Sequence, residues 1–348
     1  MKKVKIAFFD TKPYDQEFFH KINERYGFQI DFFSARLTLE TAALAAGYET
    51  VCVFVNDMVT AQIIDRLYET GVRHIALRSA GYNNIDLAGA YGKIHVTRVP
   101  SYSPHAVAEH AAALMLTLNR KTHRAFMRTR ENNFSINGLM GFDMYNKTAG
   151  IVGTGKIGQI TIEILKGFGM KILAYDLYPN KDFSQKHGVE YVTLNELFSG
   201  SDIISLHCPL TPQNVYMIDS SSIAKMKDGV MIINTGRGKL INTKDLINGL
   251  KTKKIGSAGL DVYEEEGDYF FEDFSAEAIS DDVLARLTTF PNVLITSHQA
   301  FFTKEALTNI AQTTLENISF MQEGKFPNEI CYRCGEDVCS KKSLGKCF

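Results

Sequence analysis

Short runs of Val, Ile and Phe alternate along the chain with longer stretches in which apolar residues return every three or four positions. The short runs read as strands covered on both faces and the long stretches as amphipathic helices, which is the pattern of parallel sheets wrapped by helices. In the first third the strand runs are VKIAFFD (4–10), FQIDFFS (28–34), TVCVFV (50–55), HIALRSA (74–80) and HVTRV (95–99), separated by helical stretches around 14–26, 38–46 and 60–70. A long helical pattern follows from Ser103 to Arg130, opened by Ser-Pro and apolar along one face, and reads as a connector between two α/β units. Strand runs return at 147–153, 171–176, 202–208, 230–236, 255–263 and 292–297, predicting a second, larger sheet of six strands. A final helix is expected from about Thr303 to Glu323, with an irregular tail of Pro, Gly and Cys beyond it.

Composition narrows the function classes. A chain of 348 residues is long enough for two domains. Its 38 Lys and Arg against 39 Asp and Glu leave a formal charge of -1, so neither nucleic acid nor an anionic membrane is expected as a partner, and a small metabolite is. Lys5 and Asp10 interrupt the apolar N-terminal run, and Glu109 and His110 interrupt AVAEHAAALMLTLN. Export and membrane spanning are therefore not expected, and the cytoplasm is the expected location.

Of six cysteines, Cys52 and Cys208 stand singly in strand runs as small hydrophobes, whereas Cys331, Cys334, Cys339 and Cys347 crowd the last eighteen residues. That crowding reads as a metal site, a redox-sensitive tail or a flexible extension. With a single CxxC, the preferred reading is a solvated, oxidation-prone tail, and no metal is assigned.

Chemistry first appears at Gly153-Thr154-Gly155-Lys156-Ile157-Gly158, a GxGxxG that follows a strand run and opens a helical one. The glycines permit a tight turn and close backbone approach, and the helix N-terminus offers unpaired N–H groups to a pyrophosphate. The next strand run ends at Asp176, whose carboxylate suits an adenosine ribose and repels the extra phosphate of NADP, so NAD is the expected cofactor. In open parallel sheets ligands bind beyond the carboxyl ends of the strands. Arg237, Glu266 and His298 stand there after three successive strand runs. Each also has a plainer reading: a solvated loop arginine, the end of the acidic run from Glu264, and a cap for the next helix.

The ordered series GTGKIG (153–158) with Asp176, HCPL (207–210) with Asn214, NTGRGKLIN (234–242), LDVYEEE (260–266) and SHQAFFTKEA (297–306), preceded by AGYNNID (80–86) and PSYSPHAVAEH (100–110), resembles the D-isomer-specific 2-hydroxyacid dehydrogenases, and within them the branch acting on D-lactate. The resemblance implies an α/β protein of two doubly wound parallel-sheet domains with a cleft between them. A Rossmann-type NAD domain would span 101–299, and a flavodoxin-like substrate domain 1–100 and 300–348.

It also implies that Arg237 binds the substrate and that Glu266 orients His298, the proton donor. The expected cofactor set is Gly153, Gly155, Lys156, Ile157, Gly158, Asp176, Cys208, Pro209, Asn214, Thr235, Gly236 and Asp261; the substrate set is Ala80, Gly81, Tyr102, Arg237 and Phe301. Phe301 and Phe302, just after His298, and Tyr102 are aromatic residues expected to leave little room beyond the keto carbon, the plainer reading for one phenylalanine being a core residue under the final helix. A homodimer through the NAD domain is implied as well. Pyruvate and D-lactate are the first expected substrate pair and larger branched or aromatic 2-keto acids the second, with an NAD-sensing, corepressor-like interaction protein as the reading from another class. A formate dehydrogenase relative is disfavoured, because that chemistry needs no proton donor and an amide would be expected in place of Glu266. The cysteine tail lies outside what the resemblance explains.

Overall fold

The computed structural model describes residues 4–334, 339 and 341–348. The chain divides into two compact units, Met1–Ser103 with Phe302–Phe348, and Pro104–Phe301. It crosses between them at 103/104 and 301/302, where the sequence reading set 100/101 and 299/300.

The first unit is a five-stranded sheet of β1 (Lys5–Phe8), β2 (Gln29–Phe32), β3 (Thr50–Val53), β4 (His74–Leu77) and β5 (His95–Thr97). The strands run parallel in the order β2-β1-β3-β4-β5, the flavodoxin-like arrangement. Every residue of β3 and β4 is buried, which is why these strands read as continuous rather than alternating apolar runs. The stretch around 38–46 is a short 3-10 helix, Thr41–Ala45. The returning helix Lys304–Gln322 is capped by the Thr303 side chain and packs against the helix Pro13–Asn23 and β4.

The tail departs from its expectation. Glu329 bridges antiparallel to Thr97, Ile330 N–H donates to Val96 O at 2.9 Å, and a helical turn forms at Lys341–Leu344. Cys331 and Cys347 are only 6% and 1% exposed, so the solvated-tail reading is corrected for these two. Scattered aromatic anchors, Phe326 and Phe348 among them, hold the tail against β5 without producing any sequence period. Residues 335–338 and 340 of the tail lie outside the described residues.

The second unit holds β6 (Thr148–Val152), β7 (Lys171–Tyr175), β8 (Glu190–Tyr191), β9 (Ile203–Leu206), β10 (Val230–Asn234), β11 (Ile255–Leu260) and β12 (Val293–Ile295). All are parallel, in the order β12-β11-β10-β9-β6-β7-β8. Seven strands replace the six expected, because β8, at two residues beside β7, is too short to carry a period. The expected single helix from Ser103 to Arg130 is two, Pro104–Arg120 and Thr122–Arg130, parted at Lys121 by a left-handed φ of 50°. The first buries an apolar face against β10, β11 and the helix Lys156–Gly167. The second buries none of its residues. Nothing in Arg120-Lys121-Thr122 breaks helical composition, so the interruption is invisible to periodicity.

Candidate active site

The strand order reverses at β6, whose neighbours β7 and β9 lead away in opposite directions, and a crevice at such a switch point is where doubly wound sheets bind ligands. β6 runs into Gly153, with φ 92°. A Cβ there would lie 2.6–2.8 Å from the His207–Cys208 backbone, so only glycine lets the β6 and β9 loops touch. Gly155 caps the helix Lys156–Gly167, in which Lys156 and Ile157 are the first residues. At Gly158 a Cβ would meet Gly153 O at 2.0 Å, so the helix start rests directly on the turn.

Asp176 follows β7, and its Oδ2 accepts from Thr154 N (2.6 Å) and Thr154 Oγ1 (3.0 Å), while Tyr191 OH lies 2.8 Å from Thr154 Oγ1. Glycine turn and acidic strand end are thus one hydrogen-bonded piece. A turn without Cβ atoms, a helix N-terminus and an acid at the next strand end fit a dinucleotide.

The loop after β9 carries Cys208 and Pro209 and is closed by Asn214, which donates to Pro209 O at 2.8 Å and accepts from Thr211 N at 2.7 Å. Burial pushes the Cys208 thiol up to about 11 and the neighbouring His207 down to about 4. His207 is therefore a neutral ring, bonded to Ser205 Oγ at 2.9 Å. Thr235 and Gly236 follow β10, where the Asn234 side chain accepts from Gly236 N (3.0 Å) and donates to Arg237 O (2.9 Å).

Arg237, Glu266 and His298 lie beyond the carboxyl ends of β10, β11 and β12, three adjacent parallel strands spaced roughly 4.8 Å apart. Glu266 Oε1 sits 2.8 Å from His298 Nδ1, and Tyr263 N–H donates to Glu266 Oε2 at 2.9 Å. With Nδ1 engaged, Nε2 is the ring nitrogen left for chemistry. His298 occupies the left-handed region, φ 49°, a conformation that costs a non-glycine residue energy and recurs at functional sites. Gly238 has no room for a Cβ, which would fall 2.1 Å from Tyr263 C and O, so the Arg237 loop lies on the backbone that leads to Glu266.

The plainer readings now separate. Thr303, not His298, caps the following helix. The acidic run divides its work: Glu264 accepts from Tyr216 OH (2.8 Å) and Thr243 N (2.6 Å), Glu265 faces Lys239 at 3.6 Å, and Glu266 takes the histidine. Arg237 Nη1 donates to Gly236 O at 2.7 Å.

Asp261 is fully buried. Its carboxylate accepts from Thr296 Oγ1 (2.6 Å), Gln299 N (2.8 Å) and Ala300 N (2.8 Å), contacts that hold the segment around His298. His110 Nε2 joins at 3.0 Å from Thr296 Oγ1 and 3.4 Å from Asp261 Oδ1. Sequence reading missed His110, Thr296 and Tyr263, since no spacing links positions 110, 261 and 296.

In the first unit, Ala80 O accepts from Arg98 Nη1 (2.8 Å), Gly81 O from Ser79 Oγ (2.8 Å), and Tyr102 O from Asn309 Nδ2 (2.6 Å). Phe301 is enclosed, at 7% exposure, whereas Phe302 is 50% exposed and meets the Tyr14 ring edge-on at 4.9 Å.

Known proteins bear on this arrangement. The D-isomer specific 2-hydroxyacid dehydrogenase NAD binding domain profile matches residues 112–300. The chain is 53% identical over 329 residues to "D-lactate dehydrogenase" of Escherichia coli (strain K12), covering 94% of this chain and 100% of that one. A solved structure identified with the pyruvate reductase of Chlamydomonas reinhardtii superposes with a TM-score of 0.88 at 42% identity, covering 94% and 98%. The NAD-complexed D-isomer specific 2-hydroxyacid dehydrogenase of Lactobacillus delbrueckii ssp. bulgaricus gives 0.79 at 30% identity, covering 94% and 100%.

Proposed function

This chain belongs to the D-isomer-specific 2-hydroxyacid dehydrogenase family, an NAD-dependent oxidoreductase, and from that premise we propose that it reduces pyruvate to D-lactate. The observation that carries the reading is the 2.8 Å Glu266–His298 pair standing beside Arg237 on adjacent strand ends. Gly153, Gly155, Lys156, Ile157 and Gly158 hold the pyrophosphate, Asp176 the ribose, and Cys208, Pro209, Asn214, Thr235 and Gly236 the remaining length of the cofactor. Asp261 acts from behind, through the segment that carries His298.

When bound, NADH supplies the hydride that the keto carbon receives. Arg237 offers a planar fork to the substrate carboxylate and polarises the carbonyl. As negative charge gathers on the keto oxygen, His298 Nε2 delivers a proton to it, and Glu266 stabilises the charged ring before that transfer. In lactate oxidation the same nitrogen takes the proton back. In the first unit, Ala80, Gly81 and Tyr102 are the substrate-binding groups, and of the two phenylalanines after His298 the exposed Phe302 limits substrate size while the enclosed Phe301 is a core residue.

The partner is a second copy of the chain, joined through the NAD domain. Supporting this, Phe126, Met127, Phe134, Ile136, Met140 and Tyr145 are 55–86% exposed within a stretch of twenty residues of the second unit. Six unbridged cysteines suit a reducing cytoplasm. The deciding experiment follows NADH oxidation with pyruvate, 2-ketobutyrate, 2-ketoisocaproate and phenylpyruvate and determines product chirality. Pyruvate is expected first, giving the D-isomer; no turnover with any keto acid would leave an NAD-sensing protein in place of the enzyme.

A further inference from the structure

The dinucleotide site and the His298 pair use none of the tail's thiols, yet three of these form a line into the first unit. Cys334 is exposed, and its Sγ lies 4.0 Å from Cys331 Sγ and accepts the Cys331 N–H at 3.3 Å. Cys331 and Cys347 are both buried, and their thiols interact electrostatically. The Glu329 carboxylate takes the Cys347 N–H on Oε2 at 2.6 Å, which sets its charge beside the Cys347 thiol. Glu329 Oε1 faces His95 Nδ1 at 2.5 Å, and the His95 ring is stacked between Phe326 (3.9 Å) and Phe348 (4.2 Å). The line therefore runs from solvent through Cys334, Cys331 and Cys347 to a buried carboxylate and an imidazole.

We propose that this line is a thiol–disulfide exchange site, in which Cys334 accepts a low-molecular-weight disulfide at the surface and the bond moves inward to end as a Cys331–Cys347 disulfide. Cys334 thiolate attacks one sulfur of RSSR, forming a mixed disulfide and releasing RS⁻. Cys331, on losing its proton, attacks Cys334 Sγ and expels the second RS⁻. Cys347 then gives its proton to the Glu329 carboxylate and attacks Cys331 Sγ, and Cys334 leaves as a thiolate that is reprotonated. In sum, RSSR is reduced to two RSH, Cys331 and Cys347 are oxidised to one disulfide, and Cys334 is regenerated.

Burial and the Glu329 charge push the Cys347 thiol up, and burial does the same for Cys331, so neither is a ready thiolate for an outside reagent. Entry through Cys334 removes that obstacle, because the later attacks are intramolecular, the first of them across the 4.0 Å between Cys334 and Cys331. A tetrahedral zinc site would instead need its thiolates mutually clustered. Among the described residues no three His, Cys, Asp or Glu side chains are grouped to hold a metal.

The test treats the full reduced chain with glutathione disulfide and reads intact mass and a non-reducing tryptic map, with folding of each variant checked by thermal melting. Wild type is expected to lose two hydrogens without a retained adduct, and to join the peptide ending at Arg333 to the one beginning at Cys347. Cys334→Ser should slow that product about tenfold or more. Cys331→Ser should hold a stable glutathione adduct on Cys334, Cys347→Ser should stop at a Cys331–Cys334 disulfide, and Cys339→Ser should match wild type. A final Cys331–Cys334 link in wild type, a product that includes Cys339, equal rates for wild type and Cys334→Ser, no oxidation at all, or one bound zinc per reduced chain would each overturn the proposal.

Discussion

The carbonyl of Asp261 accepts the N–H of His298 at 2.8 Å, while the Asp261 carboxylate takes the N–H groups of the next two residues, Gln299 and Ala300. One fully buried residue thus holds His298 in its left-handed conformation from both sides. In Asp261→Asn the amide NH₂ would face backbone donors, leaving a buried group unpaired at about 1–3 kcal/mol. We expect a lower melting temperature and keto acid turnover reduced about tenfold or more, with NADH affinity less affected. Wild-type turnover in a folded Asp261→Asn chain would show that His298 is held by other contacts.

His298→Gln removes the proposed proton donor but keeps a side chain able to bond Glu266. Keto acid turnover should fall about 10²–10⁴-fold, while the NADH dissociation constant, followed by fluorescence titration, stays nearly unchanged. A parallel loss of both would point to damage in the fold.

Asp176 pins Thr154 in the glycine turn, and under the proposed function it also repels a ribose phosphate. Asp176→Ser should therefore narrow the preference for NADH over NADPH partly by weakening NADH itself. The ratio of kcat/KM for the two cofactors measures this, and an unaltered ratio would remove Asp176 from cofactor selection.

Phe302 is half exposed against the edge of Tyr14, and under the proposed function it limits substrate length. Phe302→Ala should raise kcat/KM for 2-ketoisocaproate relative to pyruvate by about tenfold, the scale of one or two methylenes in an apolar pocket. If Phe301→Ala shifts the ratio and Phe302→Ala does not, the assignment reverses.

Acid stability has a separate source. His74 is fully buried, bonded through Nε2 to Thr97 Oγ1 at 2.8 Å and, among the described residues, without a partner at Nδ1. Burial pulls it down to about 3, whereas an unfolded histidine titrates near ~6.5. The unfolded chain thus binds the extra proton first, so this contribution to stability is complete above about pH 6.5 and is lost as pH falls from there toward about 3. His74→Gln, able to keep the Thr97 bond, should lose about 2 kcal/mol less stability than wild type between pH 7 and 4.5 in denaturant titrations. Identical acid limbs would assign the sensitivity elsewhere.

What could be read from the residues follows from how local each signal is. Buried parallel strands announce themselves as apolar runs, and the glycine turn before a helix is a contiguous motif, so β6, the turn and Asp176 were legible together. Arg237, Glu266 and His298 were legible as strand-end residues because each follows a recognisable run. The His110–Thr296–Asp261 network was not, since its members meet only when helix Pro104–Arg120, β11 and β12 pack together. The two-residue β8 and the break at Lys121 were equally hidden, the one for lack of length and the other because a backbone torsion leaves no mark on composition. Phe301 and Phe302 are adjacent and chemically identical, so burial alone tells them apart.

The missing Cβ at Gly238 has a mechanical meaning. With the Tyr263 carbonyl seated where a methyl group would be, the segment bearing the guanidinium and the segment bearing the imidazole's carboxylate partner share a hard backbone stop. The interval between them is set by main-chain contact and is insulated from the rotamers around it. Exchanges among neighbouring side chains can retune which acid is accepted while that interval stays constant, whereas a single methyl at position 238 would wedge the two segments apart.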